Sequence, residues 1–157
     1  MHKFKTINQA RLLARKSIRI NTIKWLEAAA EDGFTKDKNI LDLKKIKIIP
    51  KFLNKVGNPK LDISFFGNNY SSPIVIAPMG HQTQFHKNGE TETAKGAEKS
   101  CVLSFFGTQG RISLADIRKK NPKLNFGWEI FPFGKLDWIN KQIENVKKNK
   151  CNAIVVC

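Results

Sequence analysis

The residues with the clearest chemical potential follow a short apolar run at 73–77. Pro78, Met79 and Gly80 come directly after that run, and His81 and His86 lie within the next few positions. Gly80 has no Cβ, so the backbone can come very close to a flat bound molecule at this point. Imidazole titrates near neutral pH, which makes each histidine a candidate proton carrier. We expect the loop backbone to contact a ligand, and both histidines to be structural or solvent-facing.

Other polar and reactive side chains have simpler explanations. Glu90 and Glu92 begin a predicted helix, where carboxylates stabilise the positive end of the helix dipole. Cys101 and Cys151 have no histidine near them in sequence and are expected to be small packing residues. No cysteines and histidines stand at the spacing of a zinc finger. We therefore predict no metal site and assign no catalytic residue.

The chain of 157 residues is long enough for one domain, and it is strongly basic, with a formal net charge of +15. Such a charge is typical of proteins that bind nucleic acid or anionic surfaces. The basic residues are spread along the whole chain without aromatic interleaving, so we expect solvated faces and no nucleic-acid partner. No run of ~20 apolar residues could cross a bilayer, and the basic N-terminus lacks an apolar signal region. Three cysteines without a CxxC pair indicate reduced thiols, and we predict a cytoplasmic protein.

The first part of the chain is predicted to be mainly helical. Residues 6–32 carry apolar stripes at helical spacing, and Gly33 ends that region. A short helix is predicted over 35–43 with Thr35 as its cap, followed by an extended run at 46–49. Gly67-Asn68 predicts a turn or hairpin between two short strands.

From Pro73 onward the pattern changes to alternating buried strands and helices. Strands are predicted at 74–77, 102–106, 124–131 and 153–157, and helices at 90–101, from the capping box at Ser113, and at 136–146. The order βαβαβαβ predicts an α/β fold with parallel strands and right-handed crossovers. Periodicity alone leaves open a small open sheet or half of an eight-stranded barrel. Neither GxGxxG nor GxxxxGK[ST] occurs, so the common nucleotide-binding sheets lack support.

A set of residues scattered through the chain has the order and spacing of one known family. Its members are Trp25-Leu-Glu-Ala-Ala-Ala-Glu-Asp32, Thr35, Asn39, Leu43, Ile46, Pro50-Lys-Phe-Leu53, Pro73-Ile-Val-Ile-Ala-Pro78, His86, Gly89-Glu90, Ala94 and Ala97. The chain thereby resembles the FMN-dependent 2-hydroxy acid oxidases and dehydrogenases, such as glycolate oxidase and lactate oxidase, from about Thr6 to Cys157. The resemblance implies a partial TIM (β/α)8 barrel: a helical cap segment at 1–72, and barrel strands one to four at 73–157.

The resemblance also implies where FMN would lie. Pro78, Met79 and Gly80 match a loop whose backbone contacts the flavin, and Thr108 retains a hydroxyl near the ring. Glu129 stands where the family has a glutamine on the pyrimidine edge, and an ionised carboxylate accepts hydrogen bonds but cannot donate them. Cys157 replaces a threonine on the fourth strand with a weaker donor.

On the substrate side, Trp25 and Phe131 stand at two family tyrosines that help to hold a small 2-hydroxy acid. Both replacements keep an aromatic ring and lose the phenol hydroxyl, and the one tyrosine of the chain, Tyr70, matches neither position. In the family, hydride passes from the α-carbon to the flavin while a histidine removes a proton. His86 matches a family histidine that is not this base, and the base and the phosphate site belong to strands beyond the fourth.

Three hypotheses follow from these observations. The first is a truncated family member that is inactive alone. The second is a split flavoenzyme completed by a second polypeptide, which would pair with the open strand edges; the same edges would also allow a homo-oligomer. The third is a basic α/β module that binds nucleic acid or anionic surfaces, supported by net charge alone.

Overall fold

The computed structural model describes residues 4–53 and 57–157. The chain forms two compact units, Met1–Asn58 and Pro59–Cys157. Of the helices in the described ranges, none has the length and apolar character needed to cross a membrane. The predicted division between a cap segment at 1–72 and a barrel segment at 73–157 stays a prediction.

The first unit contains three helices, α1 (Ile7–Ser17), α2 (Ile20–Glu27) and α3 (Phe34–Lys45). Helices α1 and α2 lie within the helical region predicted over 6–32, but the backbone becomes extended at Ile18 and α2 ends at Glu27, short of the predicted end. The Ser17 hydroxyl bonds to the carbonyls of Leu13 and Ala14 at the end of α1. This competition for helical acceptors, followed by β-branched Ile18, accounts for the break.

Helix α3 begins one residue earlier than predicted, and Thr35 is not its cap. Gly33 occupies the N-cap position with a left-handed φ of 83°, which glycine adopts without a Cβ penalty. Asp32 supplies the missing acceptor, since its Oδ1 receives the Phe34 N–H at 3.0 Å. The run Ile46–Ile49 is assigned to no strand.

Helices α1 and α2 are joined by a small charge network. Glu27 accepts from Arg11 Nε at 2.8 Å and is also paired with Arg15. Hydrogen bonds from Arg11 and Arg15 lower the pKa of the Glu27 carboxyl to about 2. The network therefore links the two helices across the break at Ile18.

The second unit begins with a two-stranded antiparallel hairpin, β1 (Ile63–Phe65) and β2 (Asn68–Tyr70). The predicted hairpin is confirmed, but its turn lies one residue earlier than Gly67-Asn68. Phe66 and Gly67 both have positive φ, at 48° and 71°, as the two central residues of a primed hairpin turn require.

The predicted parallel sheet is confirmed. It has the order β3-β4-β5-β6, and every neighbouring pair is parallel. A helix lies in each of the three connections between consecutive strands. The strands are β3 (Val75–Ile76), β4 (Leu103–Gly107), β5 (Phe126–Ile130) and β6 (Ala153–Val156). The helices are α4 (Gly89–Ser100), α5 (Leu114–Lys120) and α6 (Leu136–Lys148), with a 3₁₀ turn at Gln82–Gln84. Helix α5 starts at the predicted capping box, where Ser113 accepts from the Asp116 N–H.

Side chains alternate between the two faces of the sheet, and each face carries a cluster of buried residues. On one face the helices cover the main core, which is formed by Phe106, Phe126, Trp128 and Ile130 together with Ala94, Ala97, Leu114, Ile117, Leu124 and Val146. On the other face, here called the inner face, Leu103 and Phe105 pack with Tyr70 of the hairpin. The hairpin is anchored at the start of β4 by a hydrogen bond from Ser71 N to Cys101 O, 2.9 Å long. It therefore closes the amino-terminal end of the inner face and leaves the carboxyl ends open.

Candidate functional site

The predicted cofactor residues of the second unit lie at or beyond the carboxyl ends of the four parallel strands. Residues 78–80 follow β3, Thr108 follows β4, and Cys157 follows β6, while Glu129 is the second-to-last residue of β5. In parallel α/β architectures these ends meet at one edge, where ligands bind. The sequence pattern thus places separate parts of the chain at a common site.

The loop after β3 is held against the loop after β4. His81 N donates to Gln109 O at 3.4 Å, and Gln82 Nε2 donates to Met79 O at 3.2 Å. A Cβ added at Gly80 would lie 2.9 Å from Gln109 Cβ, which is closer than real contacts allow. Gly80 therefore permits a close approach as expected, and the neighbour it approaches in this structure is Gln109.

Thr108 connects the ends of β4 and β5. Its backbone N–H donates to Glu129 O at 3.1 Å, and its Oγ1 accepts from Phe131 N at 3.1 Å. Because a hydroxyl can accept and donate at once, the Thr108 hydrogen remains able to donate to a ligand. The threonine is thus positioned from both sides by the backbone.

Glu129 and Cys157 face each other across β5 and β6. The Cys157 thiol donates to Glu129 Oε1 at 3.1 Å. Opposite them, Gly107 is the register partner of Glu129, and a Cβ there would fall 2.5 Å from Glu129 Oε2. The hydrogen bond to Glu129, with desolvation and the carboxylate's charge, raises the pKa of the Cys157 thiol. The thiol therefore stays protonated as a donor to the carboxylate over a wider pH range.

The two predicted substrate residues lie in different units. Phe131 follows β5 and stacks on Phe133, with ring centroids 4.9 Å apart. Trp25 lies on α2 of the first unit and is 53% exposed. Phe131 therefore lies beside Thr108, to which its backbone N–H donates. Trp25 belongs to the first unit and is described there alone.

The histidines and the partly buried Cys151 take structural positions. His86 Nδ1 accepts from Asn88 N at 3.3 Å, just before α4. His81 has a left-handed backbone, with φ of 57°, and caps the 3₁₀ turn. Burial raises the pKa of the Cys151 thiol to about 12, which suits a packing residue and not a nucleophile. The described residues contain no group of three or more His, Cys, Asp or Glu side chains that could hold a metal ion.

Sequence reasoning missed the burial of Glu90. Glu90 lies in the first turn of α4 and is 1% exposed. Neither of its carboxylate oxygens has a hydrogen-bond partner among the described residues. It packs against the loop after β4, since a Cβ at Gly110 would lie 2.9 Å from Glu90 Oε1. Gly110, where a side chain would meet this carboxylate, is the sequence feature that accompanies the burial of Glu90.

Comparison with known proteins agrees with this geometry. Residues 14–157 match the family described as FMN-dependent dehydrogenase. The chain belongs to this family. It is 29% identical over 144 residues to human 2-hydroxyacid oxidase 2, covering 91% of this chain and 41% of that protein. It is also 29% identical over 147 residues to L-lactate oxidase from Streptococcus iniae, covering 92% of this chain and 36% of the oxidase.

Solved structures show the fold. A lactate oxidase from Pediococcus acidilactici matches with a TM-score of 0.90 and 21% identity, covering 99% of this chain and 44% of that one. A mandelate oxidase variant with (S)-mandelic acid matches with a TM-score of 0.89 and 20% identity, covering 98% of this chain and 45% of the oxidase. The sheet is thus part of a TIM barrel, and the ambiguity between an open sheet and a barrel is resolved. The chain spans about two fifths of the length of its relatives.

Members of this family use FMN, and the side chains at the open edge suit one part of that cofactor. The pyrimidine edge of a flavin presents one N–H donor between two carbonyl acceptors. Glu129 offers an acceptor for the N–H, and Thr108 retains a hydroxyl hydrogen for a carbonyl. Gly107 leaves the space that the Glu129 carboxylate occupies. The hydrogen-bonding groups of these residues are of the types that the ring edge requires, and their assignment to the cofactor stays a prediction.

Proposed function

We propose that this chain provides the flavin-facing first half of an FMN-dependent 2-hydroxy acid oxidoreductase. The observation that carries the proposal is the Glu129–Cys157 pair at the open end of the inner face, with Thr108 at the end of the neighbouring strand β4. Their polar groups meet the needs of a flavin pyrimidine edge. In this proposal residues 73–157 form the barrel part and residues 1–72 the cap.

The chain's own residues would bind and orient the cofactor. Pro78, Met79 and Gly80 would present backbone to one side of the ring, while Thr108 donates a hydrogen bond. FMN, when bound, supplies the acceptor for the hydride of a 2-hydroxy acid. Glu129 would accept from the ring N–H and Cys157 would hold the carboxylate in place.

On the substrate side, Phe131 would contact a small 2-hydroxy acid, the class of molecule named for 2-hydroxyacid oxidase 2 and the lactate oxidases. Trp25, in the other unit, is proposed as a substrate residue from the family resemblance alone. Phe131 has no hydroxyl, and Trp25 has only an indole N–H to offer a carboxylate. We therefore expect weaker polar recognition of the substrate by this half than two tyrosines would provide.

We further propose that these residues alone do not oxidise 2-hydroxy acids. A TIM barrel has eight strands, and its phosphate site typically involves the loops after strands seven and eight, whereas this sheet has four strands. The histidines at 81 and 86 hold structural positions, so neither is assigned as the base.

A flavin titration of the purified full chain tests both proposals. Without any partner, we expect no stoichiometric FMN binding and no anaerobic bleaching of flavin by L-lactate or glycolate. Bleaching reports hydride transfer without assuming an electron acceptor. Stoichiometric FMN with turnover by the chain alone would overturn the proposed inactivity.

Cofactor contact by Glu129 is tested after adding a polypeptide that contains the remainder of the Streptococcus iniae oxidase. We expect FMN binding to return, and Glu129→Ala to weaken it about tenfold, as loss of a charge-assisted hydrogen bond would. Lys99→Gln, an exposed change on α4, is the matched control. Equal FMN affinity of the Glu129 variant and the control would exclude Glu129 from the cofactor site.

A split enzyme is the second candidate, and the sheet edges favour it. β3 and β6 form the two outer strands of the sheet. On β6, Ile154 is 42% exposed and Val156 is 71% exposed, which is unusual for a strand of a parallel sheet. In this candidate a second polypeptide pairs with the edges, and a homo-oligomer is the competing outcome. Light scattering of the chain alone and with the added half separates the two.

The compartment also belongs to the proposal. All three cysteines are free, and Cys101 and Cys157 are exposed. Free exposed thiols persist in a reducing compartment, which supports a cytoplasmic location. Alkylation of intact cells before lysis would label both thiols if they are reduced there.

A further inference from the structure

A cleft of about 410 Å³ opens in the second unit, on the flank of the sheet. It lies between the loop after β4, strand β5 and helix α6. This volume is within the range of small-molecule sites in proteins. The lining residues that matter here are Thr108, Arg111, Ile112, Trp128, Trp138 and Gln142.

The cleft lies mainly on the helix-covered side of the sheet, away from the Glu129 site. Trp128 belongs to the main core beneath the helices, while the next residue, Glu129, faces the inner side with Cys157. Thr108 is the one residue shared by the cleft and the proposed cofactor site. The cleft is therefore a second site, distinct from the one proposed for FMN and 2-hydroxy acid.

The one charged side chain of the lining, Arg111, can only donate hydrogen bonds, whereas Gln142 and Asn145 can donate or accept. Arg111 is exposed and has no hydrogen bond or ion pair with any other described residue. Trp128 is 5% exposed, and its indole N–H is buried without an acceptor. No carboxylate is among the lining residues. The carboxylate of Asp116 nearby already accepts from Ser113 Oγ at 2.6 Å, and the buried Glu90 carboxylate lies against Gly110, the residue before Arg111. An exposed guanidinium without an ion pair among the described residues, in a lining that contains no carboxylate, favours an anionic ligand.

One part of the wall is apolar and mainly aromatic. Trp138 of α6 and Ile112 of the loop stand with Trp128 around the cleft. Aromatic walls bind planar apolar groups through offset stacking and edge contacts. From this chemistry we infer that the cleft binds a small anion with a planar apolar body, its carboxylate or phosphate held by Arg111.

Binding is tested on the full chain by nitrogen–proton correlation spectra of its three tryptophan indoles. Each indole signal is assigned from a Trp→Phe variant. The probes are benzoate, phenyl phosphate, the neutral benzamide and inorganic phosphate. We expect saturable shifts of the Trp128 and Trp138 indole signals with benzoate or phenyl phosphate, and none with benzamide or inorganic phosphate.

The two aromatic anions distinguish a carboxylate ligand from a phosphate ligand, and saturation by either supports the inference. Failure of both to bind at up to about 10 mM, where a Kd of 1 mM would give clear saturation, overturns it. Equal shifts with benzamide would show that charge is not recognised, and would overturn the role of Arg111. Equal affinity for inorganic phosphate and phenyl phosphate would overturn the role of the aromatic walls.

Arg111→Gln is the matched variant, because Arg111 is exposed and makes no internal hydrogen bond whose loss would unfold the chain. We expect about a tenfold loss of affinity for the aromatic anion, and wild-type affinity for Lys99→Gln, which removes the same charge from α4. Equal weakening by both variants would indicate attraction to the overall positive charge, and would refute a specific site.

Discussion

Arg118 is the side chain with the largest predicted effect on stability. It lies on α5, and its guanidinium donates to four backbone carbonyls, those of Asn149, Pro122, Leu124 and Lys150, at 2.8 to 3.2 Å. It also lies over the Phe126 ring, 4.6 Å from the centroid. These carbonyls belong to the segments that lead into β5 and β6. One side chain therefore fixes two loops at the amino-terminal end of the sheet. In barrels the residues at this end contribute to stability, and those at the opposite end to catalysis.

The magnitude follows from which bonds are shielded from water. The bonds to Asn149 and Leu124 are partly buried, while those to Pro122 and Lys150 are exposed and water can replace them. At about 1.5 kcal/mol for each shielded bond to a charged group, plus about 0.5 kcal/mol for the ring contact, Arg118→Ala should destabilise by about 3–4 kcal/mol. For a unit of this size that corresponds to a fall in Tm of at least about 12 °C.

Urea unfolding followed by the fluorescence of Trp128 and Trp138, both in the second unit, measures the change. Arg118→Lys should recover less than half of the loss, because an ammonium cannot span four carbonyls. Lys119→Ala, an exposed change on the same helix, should lie within about 0.5 kcal/mol of wild type. A loss below about 1 kcal/mol for Arg118→Ala, or full recovery by lysine, would refute the reasoning.

Three further perturbations have defined outcomes. Glu90→Gln should raise the free energy of unfolding by about 1 kcal/mol or more, measured by urea titration, because a buried carboxylate without partners is more costly than a neutral amide. The Glu27 side chain should titrate with a midpoint near 2 in NMR spectra of the full chain; its pairing stabilises the fold above the ordinary value of 4.5 and is lost as pH falls toward 2. Alkylation of Cys157 by iodoacetamide, followed by site-resolved mass spectrometry, should have a pH midpoint above the ordinary thiol value, and Glu129→Gln should lower that midpoint.

Each of these has a control. Glu92→Gln changes a carboxylate that accepts from Asn88 on the exposed side of α4, so it should not stabilise the chain as Glu90→Gln does. Arg15→Gln should raise the Glu27 midpoint, and an unchanged midpoint would contradict the ion network. If the Cys157 midpoint is the same with glutamate or glutamine at 129, the thiol–carboxylate hydrogen bond does not form in solution.

The sequence allowed the parallel order of the strands and the family to be predicted. Continuous apolar runs and helical spacing are local signals, and they placed β4, β5 and β6 close to where the structure has them. The break at Ile18 was missed because two apolar stripes on either side of it have the same spacing as one helix. The hairpin turn was displaced by one residue because Phe66 takes a left-handed conformation that its residue type does not favour.

The amino-acid order by itself determined which residues arrive at the carboxyl ends of the strands: the loop at 78–80, Thr108, Glu129 and Cys157. Only the tertiary structure decided what each of them touches: Gly80 against Gln109, the Cys157 thiol on Glu129, and Arg118 on carbonyls about 30 residues away along the chain. It also decided that Glu90 is buried and that a cleft opens beside Arg111. The physical reason is that periodicity reports which face of an element is apolar, whereas burial and hydrogen-bond partners depend on segments brought together by packing.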